Sequence, residues 1–279
     1  MHAMIPATLR DIVEHKRAEV QRAKAAITTL ELESLVAQAD PPRNFFAAAT
    51  RHPDARHMSI IAEVKRKSPS AGLIRPSYEG PGFSPESIAR QYLLGGASAI
   101  SCLTDEKFFG GHLSFIQRIR EAVPLPVLRK DFIIDPWQIW ESRAAGADAI
   151  LLIAECLTES DISDMLILAQ RLGMTTLLEC HDTENLLRVR PYVGFPHPGY
   201  CLLGINNRNL ETMKVDLNHT LRNIDLVDDV SVLVSESGIA LPSDLTRLRR
   251  AGVRAALIGE SLMRTDDPGK ALEALLART

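Results

Sequence analysis

The chain has 279 residues, enough for one large barrel domain or two ordinary ones, each able to bury a full core. Hydrophobic residues make up 46% and charged residues 24%, with a formal net charge of −3, so the electrostatic footprint of a nucleic-acid binder is absent. The apolar runs are short and interrupted, which excludes a membrane-spanning helix, and the amino terminus shows no signal-peptide h-region.

Residues 1–57 precede the first strand signal. Residues 8–24 carry Leu9, Ile12, Val13 and Val20 at helical spacing with a charged opposite face, which predicts an amphipathic helix. Phe45 and Phe46, after the Pro41-Pro42 break, are placed to anchor a second helix. This regular apolar spacing marks 1–57 as a helical extension packed on the same domain rather than a tail, so 1–279 reads as a single domain.

From residue 58 onward, short apolar runs alternate with amphipathic stretches. The strand signals fall at 59–64, 99–104, 126–129, 149–154, 175–179, 201–205, 232–235 and 255–258. Helical patterns lie between them at 85–95, 113–123, 136–146, 159–173 and 242–252, several with Ser or Asp before the first turn and Gly after the last. Continuously apolar strands separated by helices argue a parallel sheet covered by helices. Eight such units fit the α/β (β/α)8 TIM barrel, with an N-terminal helical extension, better than an open doubly wound sheet.

In that architecture the carboxyl ends of the strands share one mouth. Reading those ends in order gives Glu63 and Lys65, then Lys130, Glu179, Asn206 and Arg208, and finally Glu236 and Ser237. A single charge past a strand is ordinarily a solvated loop residue. Its recurrence at strand end after strand end points to one pocket of acid–base groups. Ser68 follows the first strand, Ser237-Gly238 the seventh and Gly259-Glu260-Ser261 the eighth. Loops after the last two strands suit a phosphate cradle, because glycine lets backbone N–H groups approach an anion. The expected ligand is therefore a phosphorylated small molecule.

No metal or cofactor site stands out. Cys102, Cys156, Cys180 and Cys201 lie far apart without a CxxC pair and read as reduced thiols in a cytoplasmic protein. His181, between Cys180 and Asp182, reads with Asp182 as a helix cap rather than a ligand pair. His112, His197 and His219 are isolated, and the GxGxxG fingerprint is absent.

Several motifs carry a resemblance. They are Glu-Val-Lys-Arg-Lys-Ser-Pro-Ser at 63–70, Leu-Arg-Lys-Asp-Phe-Ile at 128–133, Gly-Ile-Asn-Asn-Arg-Asn-Leu at 204–210, Ser-Glu-Ser-Gly-Ile at 235–239 and Leu-Ile-Gly-Glu-Ser-Leu-Met at 257–263. With the opening Ile-Val-Glu-His-Lys-Arg at 12–17, they make the chain resemble the indole-3-glycerol-phosphate synthase family over nearly its whole length. The first two motifs are specific in combination; the last is shared with other phosphate-binding barrels.

The resemblance implies a cofactor-free carboxy-lyase of tryptophan biosynthesis. It would close the ring of 1-(2-carboxyphenylamino)-1-deoxyribulose 5-phosphate to give indole-3-glycerol phosphate, CO2 and water. It implies Lys130 as general acid at the ribulose carbonyl oxygen, Lys65 against the substrate's carboxylate and phosphate region, and Glu63 or Glu179 as base. Asn206 and Glu236 would orient the ribulose hydroxyls or hold the lysines, and Arg208 would align the anthranilate portion. Ser68, Ser237, Gly238, Gly259 and Glu260 would bind phosphate, the last two through backbone N–H, while Phe109, Phe132 and Leu151 would form an apolar wall. Association with other tryptophan-pathway enzymes is compatible with the resemblance.

Two departures stand out. Some family members have Ser where this chain has Glu260; a carboxylate would repel phosphate, so its side chain is expected to point away from the anion. The Pro- and Gly-rich stretch 192–200 precedes a strand, which places it at the end opposite the mouth. Within 63–70, Glu63 and Lys65 are expected to face inward and Arg66 and Lys67 to belong to a loop, 66–83, able to act as a lid. The competing readings are another phosphate-binding barrel, such as phosphoribosylanthranilate isomerase or a flavin-dependent barrel, and a non-catalytic scaffold.

Overall fold

The strand signals form a closed parallel barrel in which every strand pairs with its neighbours in sequence and the last closes on the first. A computed structural model describes residues 8–51, 58–209 and 212–277. The strands are β1 (Ser59–Val64), β2 (Ala99–Leu103), β3 (Val127–Lys130), β4 (Ala149–Ile153), β5 (Thr175–Cys180), β6 (Cys201–Asn206), β7 (Leu233–Glu236) and β8 (Ala255–Ile258). Closure runs through Ser59 opposite Ala255 and Ala62 opposite Ile258. Nearly every strand residue is buried, as expected for strands covered on both faces.

Period-two geometry sorts these residues into two cores. Ile60, Ala62, Val64, Leu178 and Cys180 point outward against the helices, in the large cluster between barrel and helix ring. Ile61, Leu128, Leu151, Ile153, Leu177, Leu202, Val234 and Leu257 fill the barrel interior. The same alternation carries each interior row on to its strand end: 61, 63, 65 on β1; 128, 130, 132 on β3; 177, 179, 181 on β5; 202, 204, 206 on β6.

The helices that position the site begin with α1 (Leu9–Ala26), α2 (Thr29–Gln38) and α3 (Phe45–Thr50). Capping boxes at Thr8/Asp11 and Thr28/Glu31 start the first two. The helix at 29–38 is additional to the two expected in the extension. Only Leu32 of it is buried, so its periodicity is weak, and it is held by Val20, Leu32 and Trp137, with Trp137 Nε1 donating to the Ile27 carbonyl at 3.1 Å. The three helices reach both ends of the barrel. On α1, Lys16 pairs with Asp105 and Asp131, which follow β2 and β3. On α3, fully buried Phe45 and Ala49 complete the interior core, and the Phe46 N–H donates to Thr175 Oγ1 at the start of β5. The expected boundary at residue 57 lies outside the described residues.

The outer ring comprises α4 (Pro85–Leu94), α5 (Glu106–Phe109), α6 (Ser114–Ala122), α7 (Pro136–Ala144), α8 (Glu159–Arg171), α9 (Thr183–Val189), α10 (Asn218–Asn223), α11 (Pro242–Arg250), α12 (Glu260–Met263) and α13 (Pro268–Leu276). Proline occupies the first turn of α4, α7, α11 and α13, where its missing N–H costs nothing. Residues 192–200 run toward β5, where the Thr176 N–H donates to the Tyr200 carbonyl and Gly199 lies beside Phe46. That is the closed end of the barrel, away from the mouth.

Candidate active site

The mouth holds a cavity of about 490 Å3, an ordinary size for a small-molecule site. Glu63, Lys65, Phe109, Lys130, Phe132, Leu151, Glu179, Asn206, Arg208, Glu236, Ser237, Gly238, Gly259 and Glu260 all line it. These come from all eight strands and the connections that follow them. Most meet because they continue an interior row of their strand; Phe109, Ser237 and Glu260 come from the loops and helices that follow.

Lys130 is at the centre. Its Nζ stands 2.7 Å from Glu179 Oε2 and 2.8 Å from Glu236 Oε2. Burial would lower the Lys130 pKa, but the two carboxylates and Glu63 hold it above the ordinary ammonium value. Burial and the facing Glu179 carboxylate push Glu236 up to about 8, so it carries a proton at neutral pH. Burial would raise Glu179 as well. The Lys130 and His181 cations overturn this and hold it well below the usual carboxylate range. Asn206 Nδ2 donates to Glu179 Oε1 at 3.1 Å, while Asn206 Oδ1 accepts from the Arg208 N–H at 3.0 Å. The mouth thus holds an ammonium, an ionised carboxylate and a neutral carboxyl group within hydrogen-bond reach.

The second pair is Lys65 and Glu63, 2.5 Å apart. It lies against β8, and two glycines make room for the buried acids. A Cβ on Gly259 would stand 2.3 Å from Glu63 Oε1, and one on Gly204 would stand 2.4 Å from Glu236 Oε1. At these positions glycine is required by close approach rather than by a turn. Arg66 lies beside Gly110, and Lys67 Nζ donates to the Lys107 carbonyl, so both belong to the loop side of the segment.

Across the mouth, Ser237 and Gly238 have φ of 66° and 79°. Ser237 pays about 1–2 kcal/mol for that left-handed backbone, which bends the chain around the cavity wall. Glu260 begins the helix after β8. Its carboxylate is turned onto Arg208 Nη2 at 3.0 Å and Arg264 Nη2 at 2.7 Å, at the cavity rim. Burial would raise its pKa, but Arg264, Arg208 and Lys65 hold it down. Phe109 and Phe132 form a tilted pair with centroids 6.1 Å apart, and Leu151 lies deeper on the floor.

Ser68 is the candidate that the structure leaves out of this cavity. Lys67–Ser68 pairs with Gly72–Leu73 as a two-residue hairpin, which turns the Ser68 hydroxyl onto Ser70 Oγ and the Ala71 N–H. It lines a smaller neighbouring cavity of about 80 Å3 with Lys65, Phe109, Phe132, Arg208 and, from α1, Leu9 and Ile12.

Two features escaped the sequence reading. Asp182 does cap α9, accepting from the Asn185 N–H, but His181 is no part of that cap. Its Nε2 faces Glu179 Oε1 at 3.0 Å and its Nδ1 faces Glu155 Oε2 at 3.1 Å. Burial would lower its pKa, yet the two carboxylates raise it to about 10. The missed signal was parity, since Leu177, Glu179 and His181 share one face of β5. The other feature is Asp131, next to Lys130. It binds Lys16 at 2.9 Å, Thr104 Oγ1 at 2.5 Å and Arg129 at 3.2 Å, tying α1 to the strand that presents Lys130. Leu210, the last residue of one motif, lies outside the described residues. Among the described residues, no group of three or more His, Cys, Asp or Glu is placed to hold a metal.

Comparison with known proteins agrees with this geometry. Residues 9–275 match the family model described as indole-3-glycerol phosphate synthase. A protein of that name from Rhodospirillum rubrum is 44% identical over 268 residues, covering 96% of this chain and 98% of its own. Those from Acidithiobacillus ferrooxidans and Rhodopirellula baltica are 42% and 43% identical, each over 96% of this chain and 97% and 98% of their own lengths. Among solved structures, a 3-hexulose-6-phosphate synthase superposes with a TM-score of 0.59 at 16% identity, over 79% of this chain and 99% of that one. That last likeness is one of fold alone.

Proposed function

The chain belongs to the indole-3-glycerol phosphate synthase family, and from that premise we propose how its residues divide the work. The enzyme is a decarboxylating lyase of tryptophan biosynthesis, and its substrate is a phosphorylated small molecule. 1-(2-Carboxyphenylamino)-1-deoxyribulose 5-phosphate closes to indole-3-glycerol phosphate, releasing CO2 and water. The isomerase and scaffold alternatives fall away with family membership.

The observation that carries the division is Lys130 held between Glu179 and Glu236 at the cavity floor. The anthranilate ring carbon attacks the ribulose carbonyl, and charge develops on the carbonyl oxygen. Lys130 donates its proton there. The developing alkoxide is stabilised in a buried site where one well-placed proton donor contributes roughly 10²–10⁴-fold. Loss of CO2 restores the aromatic ring. Dehydration then requires an acid to protonate the departing hydroxyl, which falls to the Lys65 ammonium, and a base for the remaining proton; Glu179 takes the second role, being the ionised member of the pair. Glu236 stays protonated and, with Asn206, orients the ribulose hydroxyls and the lysine.

Lys65, beside Glu63 and the β8 glycine, meets the substrate's carboxylate and phosphate region. Ser237, Gly238 and Gly259 cradle the phosphate, helped by Arg208 at the rim. Phe109, Phe132 and Leu151 form the wall for the anthranilate ring. The Glu260 carboxylate, neutralised by Arg208 and Arg264, leaves the anion to the backbone. Ser68 lines the adjoining cavity with Lys65 and Arg208, and its hydroxyl also supports the hairpin beside Lys65.

We place the enzyme in the cytoplasm. Its cysteines are all free, and no helix among the described residues is long and apolar enough to cross a membrane. We also take residues 1–279 as one domain with 1–57 as its extension, so that a single cooperative unfolding transition is expected and separate melting of the extension contradicts it. The activity is tested by indole fluorescence on mixing purified enzyme with the carboxyphenylamino-deoxyribulose phosphate. Turnover without added metal or cofactor is expected, and absence of product overturns the assignment.

A further inference from the structure

Glu179, the proposed base, is held from two sides. Lys130 binds Oε2, while His181 Nε2 stands 3.0 Å from Oε1. The other ring nitrogen of His181 faces Glu155 Oε2 at 3.1 Å, and the His181 peptide N–H donates to Glu155 Oε1 at 2.8 Å. Glu155 therefore grips both the backbone and the ring of a buried histidine. Both ring nitrogens meet carboxylate oxygens, which only accept. A neutral imidazole would turn a lone pair onto one of those oxygens; an imidazolium hydrogen-bonds Glu155 through Nδ1 and meets Glu179 through Nε2 as an ion pair without hydrogen-bond alignment.

We propose that His181 is a positioning residue: clamped as an imidazolium between Glu155 and Glu179, it keeps Glu179 ionised and fixed while Lys130 gives up its proton. The proposal rests on the reading of Glu179 as base. Its reason lies in the charge bookkeeping of the reaction. When the Lys130 proton passes to the substrate oxygen, the neutral amine no longer balances Glu179. With no other cation, Glu179 would draw the next available proton and be lost as a base before dehydration. His181 and Glu155 do not line the cavity, so the substrate leaves that second cation in place.

The other charged groups around His181 leave this role intact. Asp182 is committed to the start of α9 through the Asn185 N–H at 2.7 Å. His219 on α10 is lowered by burial and by Arg222, so it adds no competing cation at neutral pH. Lys130 and Glu236 face the far side of Glu179.

The test uses His181→Asn and Glu155→Gln, with Glu179→Gln as reference, each assayed for the pH dependence of kcat. Glu155 is partly exposed and its variant tests the proposal even where His181→Asn does not fold. Removing the imidazolium raises the Glu179 pKa, so the acid limb is expected to move up by about one to three pH units in His181→Asn. A smaller shift in the same direction is expected in Glu155→Gln, with KM within about twofold of wild type in both. In the wild-type enzyme, nitrogen NMR should show the His181 ring doubly protonated at neutral pH. A neutral ring, or an unmoved acid limb in the folded variants beside an inactive Glu179→Gln, overturns the proposal. A fully active Glu179→Gln overturns instead the base assignment beneath it.

Discussion

At the closed end of the barrel, three arginines gather near the buried carboxylate of Asp148; at the mouth, one lysine lies between two buried glutamates. At the closed end the central carboxylate is satisfied. Asp148 accepts from the Arg43 N–H at 2.7 Å, the Val127 N–H at 2.8 Å and the Arg120 side chain. Arg43 spends its guanidinium on the carbonyls of Val123, Leu125 and Arg120, and Arg143 reaches the Asp40 carbonyl. The Arg43 and Arg143 contacts join the extension to the barrel, and those of Val127 and Arg120 tie the Asp148 carboxylate into its closed end. At the mouth, Glu236 Oε1 has no hydrogen-bond partner, and the two glutamates are driven apart in acidity. Both ends bury charge, and each leaves a buried polar atom unpaired, Arg143 Nη1 at the closed end and Glu236 Oε1 at the mouth; what the mouth adds is a proton whose place is contested between two acids. The first pattern holds a fold together; the second does chemistry.

This contrast can be broken or sharpened by mutation. The largest effect is expected from Glu179→Gln, which keeps shape but removes the base: kcat should fall roughly 10²–10⁴-fold with the unfolding midpoint nearly unchanged. Asp148→Asn should do the reverse. Leaving buried guanidinium charge unpaired should cost about 3–5 kcal/mol in urea unfolding, with kcat per folded molecule within about twofold of wild type. A large kcat loss there would erase the distinction between the two ends.

A smaller effect concerns pH. In the folded chain His181 titrates near 10 rather than 6.5, and Glu236 near 8 rather than 4.5. Between pH 6.5 and about 10 the folded state thus holds a proton that the unfolded state has released. Unfolding free energy should therefore fall as pH rises through that window, and His181→Asn should flatten the slope. The smallest effect is expected from Glu260→Ser. It frees Arg208 for the anion, so KM should fall about two- to threefold with kcat unchanged.

Much of the site was legible because strand ends inherit the period of their strands. Ile61, Glu63 and Lys65, or Leu128, Lys130 and Phe132, are read inward by counting in twos once the barrel is recognised. The same count reaches His181 from Leu177. It was passed over because His-Asp after a strand looks like a cap, and Asp182 alone accounts for the cap. Lys16 was hidden for another reason. It sits on the charged face of an amphipathic helix, and its partners Asp105 and Asp131 come from two distant loops. That Ser68 lines the neighbouring cavity rather than the main one was not legible, because a hydroxyl near a strand end gives no sign of the chain turning back on itself, as it does between Ser68 and Gly72. In the fold, the helix 29–38 was missed because a single buried leucine gives no period to read.

The central claim is that Lys130 supplies the proton for ring closure from between the ionised Glu179 and the protonated Glu236. It is tested most directly by kcat per folded molecule of Lys130→Ala in the indole fluorescence assay. A fall of roughly 10²–10⁴-fold, with substrate still bound, is the predicted result. Activity within a few-fold of wild type would contradict it.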